Sequence, residues 1–438
     1  MKTRIALIIL ATLFCVTNMA HGQDSLHITV KKLFELAENN NRQLKLDAIR
    51  IQDAQAGIDV SKNHRLPDID MAVTAGYLTD VGVIGMGTMK TGFYEMPHFS
   101  NSYVLQASYL LFSGGRVGRD IEISELRGRV AGLNYEKNKM EVKLLLVGYY
   151  LDLFRLLGQR DVYKSNIDQA SMLLEKIDNR MRAGIVLRSD KIRSELLLEE
   201  MKLQLVKVSN RIRIINNAMV EILVLPEGTI IEPDTILPEN NVTELALNTL
   251  QQVALQNQPE LKINQLNTEM AKKRQQQIKA AYLPEASLYA TNGLARPYVY
   301  DIPAKDIYAN NLTVGVRLNY SLSGLYKNKA RVDAATKGLQ AATQYEQLAQ
   351  ENMRKAVFNA YTLWNEAGDQ LSSEAKKLEL ATENYRRITN AYDQQVALIT
   401  DITDASNQKL AAELQLTNAQ AQRVMRYFEL QKVTGQLN

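Results

Sequence analysis

The chain has almost no cysteine: Cys15 is the single one among its 438 residues. It sits in a segment that reads as an export signal, with Lys2 and Arg4 ahead of an apolar run from Ile5 to Val16 and a small-x-small cleavage site at Ala20-His21-Gly22. Phe14 stands where a lipoprotein anchor needs a small residue, so residues 1–22 are expected to leave together and the mature chain to begin near Gln23. A chain processed in this way keeps no thiol, which excludes disulfides, cysteine-ligated zinc and thiol catalysis. Histidine is also scarce: beyond His21, only His27, His64 and His98 occur, far apart and without acidic ligand spacing. They support no metal site and no Ser-His-Asp arrangement. Gly82, Gly85 and Gly87 before Lys90-Thr91 fail as a phosphate loop, because Met89 replaces the glycine before the lysine. No residues support an enzyme, and no cofactor is implied.

Long hydrophobic runs are missing as well. Past the signal, nothing approaches the roughly 18 consecutive apolar residues of a spanning helix. The net charge of +4 is small and spread along the chain, which gives no argument for nucleic acid. Only nine prolines occur, and long stretches rich in Gln, Lys, Glu, Ala and Leu point to very long helices.

What is present is a duplication. Phe34 to Pro67 aligns with Gln251 to Pro284 at a shift of about 217, pairing Ala37 with Ala254, Leu44 with Leu261, and Leu66-Pro67 with Leu283-Pro284. Ser113-Gly114 answers to Ser323-Gly324. Ala170, Leu174, Ile177 and Met181 recur as Ala381, Tyr385, Ile388 and Tyr392, at a shift of about 211. The boundaries expected are a first copy at 23–225, a proline-bearing linker at 226–241 and a second copy at 242–438.

Each copy runs helix, strand, strand, helix, helix. An opening helix of about 37 residues stops at the Leu-Pro pair, since proline disfavours helix at the residue before it. The two β-hairpins are expected at 66–112 and 284–322, and the long helical hairpins at 117–223 and 326–434. Each helical hairpin is interrupted once, near Gly184 to Asp190 and near Gln395 to Asp401, where Ser189-Asp190 and Thr400-Asp401 read as helix starts. Division there gives helices of about 65 and about 34 residues. The 4, 3, 4 apolar spacing at Ala170, Leu174, Ile177 and Met181 is a coiled-coil seam.

Between the helices the period changes to two. Ile69, Met71, Val73, Ala75 and Tyr77 alternate with more polar neighbours, as do Tyr103 to Leu111 and Leu312 to Tyr320; a weaker run follows Pro284 to about Thr291. Runs of about ten residues with terminal aromatics fit tilted outer-membrane strands. Four strands cannot close a barrel, and an open edge is forbidden in lipid, so several chains must share one. The loops Val81 to Ser100 and Gly293 to Asn310 are expected at the exterior.

Taken in order, the signal, the duplicated unit, Leu-Pro before the strands, Ser-Gly after them and the interruption ending in Asp resemble the TolC family of outer-membrane factors, over the whole mature chain. The resemblance implies a homotrimer with one shared β-barrel in outer-membrane lipid and a helical tunnel in the periplasm. It further implies a periplasmic adaptor and an inner-membrane transporter of RND or ABC type as partners. Tyr392, Asp401 and Asp404 match a tyrosine and two aspartates that in the family constrict the periplasmic entrance, and Asp190 matches an aspartate that can bond to that tyrosine. Gly184 keeps the family's turn glycine, whereas Gln395 replaces it in the second copy. Asp190 and Asp401 also read as simple helix-start acids. The function implied is a passive duct for small molecules. A duct for a polypeptide secretion system and a soluble periplasmic coiled-coil adaptor or scaffold are the competing readings.

Overall fold

The computed structural model describes residues 25–84, 91–234, 246–301 and 304–437. The expected signal, Gly85, Gly87 and Lys90, and residues 235–241 of the expected linker lie outside the described residues. In chain order the elements are β1 (Ser25–Ile28), α1 (Val30–Asn40), α2 (Arg42–Asn63), β2 (Asp68–Tyr77), β3 (Val81–Ile84), β4 (Thr91–Tyr94) and β5 (Phe99–Phe112). Then come α3 (Arg116–Arg182), α4 (Arg188–Leu223), β6 (Ile230–Pro233), α5 (Leu247–Asn257), α6 (Pro259–Lys279), β7 (Glu285–Arg296), β8 (Ala309–Asn319), α7 (Gly324–Asp393) and α8 (Ile399–Val433). The fold is mainly helical with a minor share of strand, in two copies of one pattern.

The long hairpins have helices of 67 and 36 residues in the first copy and 70 and 35 in the second. The opening helix is not continuous in either copy. It breaks at Asn41, whose side-chain oxygen caps the next helix by accepting from the Leu44 N–H at 3.1 Å while its amide donates to the Ile222 carbonyl at 3.1 Å. The second copy breaks at the equivalent Gln258, whose amide donates to the carbonyls of Lys432 and, at 2.8 Å, of Val433. Pro259 then starts α6, where its missing N–H costs nothing. Each break therefore supplies donors to the end of a returning helix that has run out of its own.

Two compact units divide the chain. One takes residues up to Ala48, Asn134–Leu261 and Ala349 onward; the other takes Ile49–Leu133 and Lys262–Leu348. The first unit holds the principal core, in which Leu33, Leu146, Tyr150, Met219 and Leu223 are almost fully buried. The parallel pair β1–β6 belongs to it. At four residues each, these strands are too short to show a period in sequence.

The second unit carries an antiparallel sheet in the order β2-β5-β7-β8. Strand β7 runs to Arg296, past the weaker run expected, so Gly293 to Arg296 is strand and not loop. In the other expected loop, Val81–Ile84 pairs with Thr91–Tyr94 as a separate ribbon. Register puts Met71, Leu105, Leu288 and Val316 on one face, because Met71 opposes Leu105 and Leu288 opposes Val316, with Tyr109 opposite Leu288. Asp70, Gln106, Thr291 and Thr313 share the other face. The apolar face is bare in the single chain: Ile69 is 67% exposed, Met71 69% and Val316 65%. A sheet with one aliphatic face and nothing laid on it is suited to lipid and ill suited to water.

In the first unit, the Lys143 side chain is almost wholly buried and its Nζ lies 2.6 Å from Glu38 and 4.9 Å from the Phe34 ring centroid. Lys139 reaches the same carboxylate at 3.2 Å. Burial alone would raise the Glu38 carboxyl, but hydrogen bonds and charge from Lys143 and Lys139 outweigh it and hold it below its ordinary range. A depressed acid contributes stability that is present above its unfolded pKa and is lost as pH falls through the folded one. Glu38→Gln is expected to lower unfolding free energy at neutral pH by about 2 kcal/mol in urea titrations, less than for a fully buried pair because Glu38 is partly solvated. The gap from the parent protein should close as pH falls through the lowered range in which the folded protein's Glu38 takes up its proton.

Candidate functional site at the paired helical turns

Both helical hairpins turn with the same backbone device. The Gly184 N–H donates to the Met181 carbonyl and the Ile185 N–H to the Arg180 carbonyl, each at 2.9 Å. In the second copy the Gln395 N–H donates to Tyr392 at 3.0 Å and the Val396 N–H to Ala391 at 2.9 Å. This pairing closes a helix through one residue in the left-handed region. Gly184 occupies it at φ 73° without strain, whereas Gln395 holds φ 63° against its own Cβ.

The helices that follow are N-capped by Leu187 and Leu398 and not by Ser189 and Thr400, which fall inside the first turn. Asp190 accepts from the Leu187 N–H at 3.3 Å, and Asp401 accepts from the Leu398 N–H at 2.9 Å. Both acids thus serve the positive end of their own helix. Asp401 and Asp404 are exposed, and Asp404 makes no hydrogen bond or ion pair among the described residues. Asp404 is the less committed of the two charges.

Tyr392 is buried to 4% exposure and packs with Ile177, Ile399 and Ile402 in a small cluster joining the two hairpins. Its hydroxyl has no hydrogen-bond partner among the described residues, so the bond from Asp190 suggested by the resemblance is not made. Arg180 takes that neighbourhood instead. Its guanidinium lies 4.6 Å from the centre of the Tyr392 ring, donates to the Tyr392 carbonyl at 3.1 Å and sits 3.6 Å from the Asp393 carboxylate. Lys176 reaches Asp393 at 3.3 Å. Within the first hairpin Asp178 is bridged to Lys191 and to Arg182, both at 2.6 Å. The hydrogen bond from Lys191 is the main reason its carboxyl lies below the usual range.

Arg180, Lys176, Asp393 and the Asp178–Lys191 bridge were not singled out by sequence reasoning. A signal was present in the mismatch between the copies: Asp178 and Lys191 answer to Thr389 and the buried Ile402, so one turn is held by charge where the other is held by oil.

The turns are two versions of one joint on a protein whose strands form an open four-stranded sheet with a bare aliphatic face. The family model for outer membrane efflux proteins matches residues 33–223 and 250–436. The chain belongs to this outer membrane efflux protein family. No curated protein sequence matches it. Among solved structures, the outer membrane protein VceC of Vibrio cholerae superposes with a TM-score of 0.77 at 15% identity, covering 93% of this chain and 96% of that one. The CmeC outer membrane channel of Campylobacter jejuni gives 0.77 at 16% identity over 93% and 85%. The open state of the MtrE outer membrane channel of Neisseria gonorrhoeae gives 0.71 at 18% over 93% and 89%. At these identities the likeness is one of fold.

Gln395→Gly should relieve the left-handed strain and raise unfolding free energy by about 0.5–1 kcal/mol. Gly184→Gln should lower it by a similar amount. Paired denaturation curves check both signs.

Proposed function

We propose that the chain is the outer-membrane duct of a tripartite efflux system. Three copies pool their sheets into one barrel, and the duct passes small molecules handed on by a periplasmic adaptor and an inner-membrane pump of RND or ABC type. Residues 1–22 are the export signal on this reading, and 226–241 joins the two structural copies. Transport is passive, and the pump supplies both energy and selection. The observation that carries the reading is the bare aliphatic face and opposed polar face of an unclosed four-stranded sheet. Such a sheet has a low-energy home only where lipid covers one face, water fills the other and further copies cover its edges.

The paired turns form the periplasmic entrance on the same reading. Asp404 with Asp401 supplies a ring of negative charge around the threefold axis, favouring cations. The Tyr392 cluster and the Arg180 bonds to Tyr392 and Asp393 hold the two hairpins of one copy together. Opening then requires the hairpins to separate or to move jointly, between arrangements a few kcal/mol apart.

The test is single-channel recording of purified protein in planar bilayers. The parent should form ion-conducting pores, and Asp404→Ala with Asp401→Ala should reduce cation preference several-fold, with Asp404→Ala alone giving most of the effect. A protein that stays water-soluble and non-conducting overturns the duct; pores with unchanged selectivity in the variants remove these acids from the entrance.

A further inference from the structure

Among the described residues the sheet leaves two edges, β2 and β8, without partners, and the duplication specifies how they meet. Carry β2 onto β7 by the shift of about 217 that aligns the Leu-Pro pairs, and β5 onto β8 by the shift of about 211 that aligns the long helices. The two β-hairpins then coincide in register. Asp68 opposite Ser108 becomes Glu285 opposite Asn319, Met71 opposite Leu105 becomes Leu288 opposite Val316, and Tyr77 opposite Phe99 becomes Leu294 opposite Asn310. The Ser-Gly pairs stand one residue off this shift, which the irregularity of β5 between Leu110 and Phe112 absorbs.

One junction remains. Within the chain, β5 of the first copy pairs with β7 of the second. The same mapping turns that junction into β8 against β2 of another chain. Gln106 opposite Thr291 becomes Arg317 opposite Thr74, Val104 opposite Gly293 becomes Gly315 opposite Gly76, and Ala107 opposite Ala290 becomes Leu318 opposite Val73. We infer, on the reading that the chain is a shared-barrel duct, that each copy joins the next through β8 and β2 in this register, repeating between chains the contact that its own halves make. The match keeps aliphatic residues on one face, Leu318 with Val73 and Val316 with Ala75, and puts Arg317 with Thr74 on the polar face. A slip of one residue would put aliphatic against polar all along the seam.

The helices carry the same relation independently. Arg155 and Gln159 of α3 reach Asn418 of α8 at 3.5 and 3.0 Å. Shifted by about 211, Arg155 becomes Glu366 and Asn418 becomes Lys207. Both are exposed in the single chain, neither has an ion pair among its described residues, and their charges are complementary. Nearby like charges that the mapping also brings together, Lys202 with Lys377, are each neutralised on their own helix by Glu199 and Glu374 at 2.7 Å.

Cysteine pairs test the register, since the mature chain is expected to have no thiol of its own. Arg317→Cys combined with Thr74→Cys should give covalently linked trimers on mild oxidation and non-reducing electrophoresis. Arg317→Cys with Ala72→Cys or with Gly76→Cys should stay unlinked, because a displacement of two residues puts the Cα atoms beyond the roughly 7 Å that a disulfide spans. A Cβ at Gly76 meets nothing within 4 Å, so the control variant is tolerated. As a second measurement, Lys207→Glu or Glu366→Lys alone should lower the temperature at which trimers dissociate by several degrees, and the double exchange should restore it. Linking through Ala72 or Gly76, or no recovery in the double exchange, overturns the seam while leaving a trimeric duct intact. A parent protein that remains monomeric in detergent overturns both.

Discussion

Everything in this protein depends on the hydrogen-bonding capacity left along the outer rims of a short sheet. In water those rims could be solvated, but the aliphatic face beside them asks for lipid, where an unpaired peptide group costs several kcal/mol. Neither demand can be met by one chain. The second copy of the strands extends the first in one sheet, and on the proposed reading its two outer edges are left for another molecule.

The duplication also shows how one scaffold tolerates different chemistry at equivalent places. Asn41 and Gln258 break the opening helix at matched points and each serves the end of a returning helix. Gly184 and Gln395 close their turns with identical bonding although only one of them is suited to the angle. The Asp178–Lys191 bridge and the buried Ile402 perform the same task with opposite means. Backbone geometry is thus the repeated quantity, and side chains vary wherever more than one solution meets it.

Much of the fold was legible because its signals are long. Helices of 67 and 70 residues leave a periodic record that no propensity argument can blur, and β2, β5 and β8 show their alternation plainly, whereas β7, with Asn292 and Gly293 inside it, does not. What escaped was short or non-periodic. The β1–β6 pair is held by four residues a side, the β3–β4 ribbon sits in a glycine-rich stretch, and the breaks at Asn41 and Gln258 are set by bonds to residues about 180 positions away. At the turns, the family resemblance singled out Asp190, Tyr392, Asp401 and Asp404 as neighbours of the joint. The helix-start reading of Asp190 and Asp401 matches the bonds they make, but nothing in the sequence shows that Arg180 takes the place beside Tyr392, because that depends on which side chain of a facing helix is long enough to arrive.

The grip of Gln258 on the last carbonyls of α8 has a mechanical meaning. With its far end clamped and sealed by the buried Thr434, this 35-residue rod is not free to slide along its axis. Displacement of its turn has to come from pivoting, and over a lever of about 50 Å a swing of only about 10° carries the tip roughly 9 Å. On the proposed reading of the turns as an entrance, a large change of aperture therefore needs little rearrangement at the fulcrum, where Val424, Phe428 and Leu430 are buried.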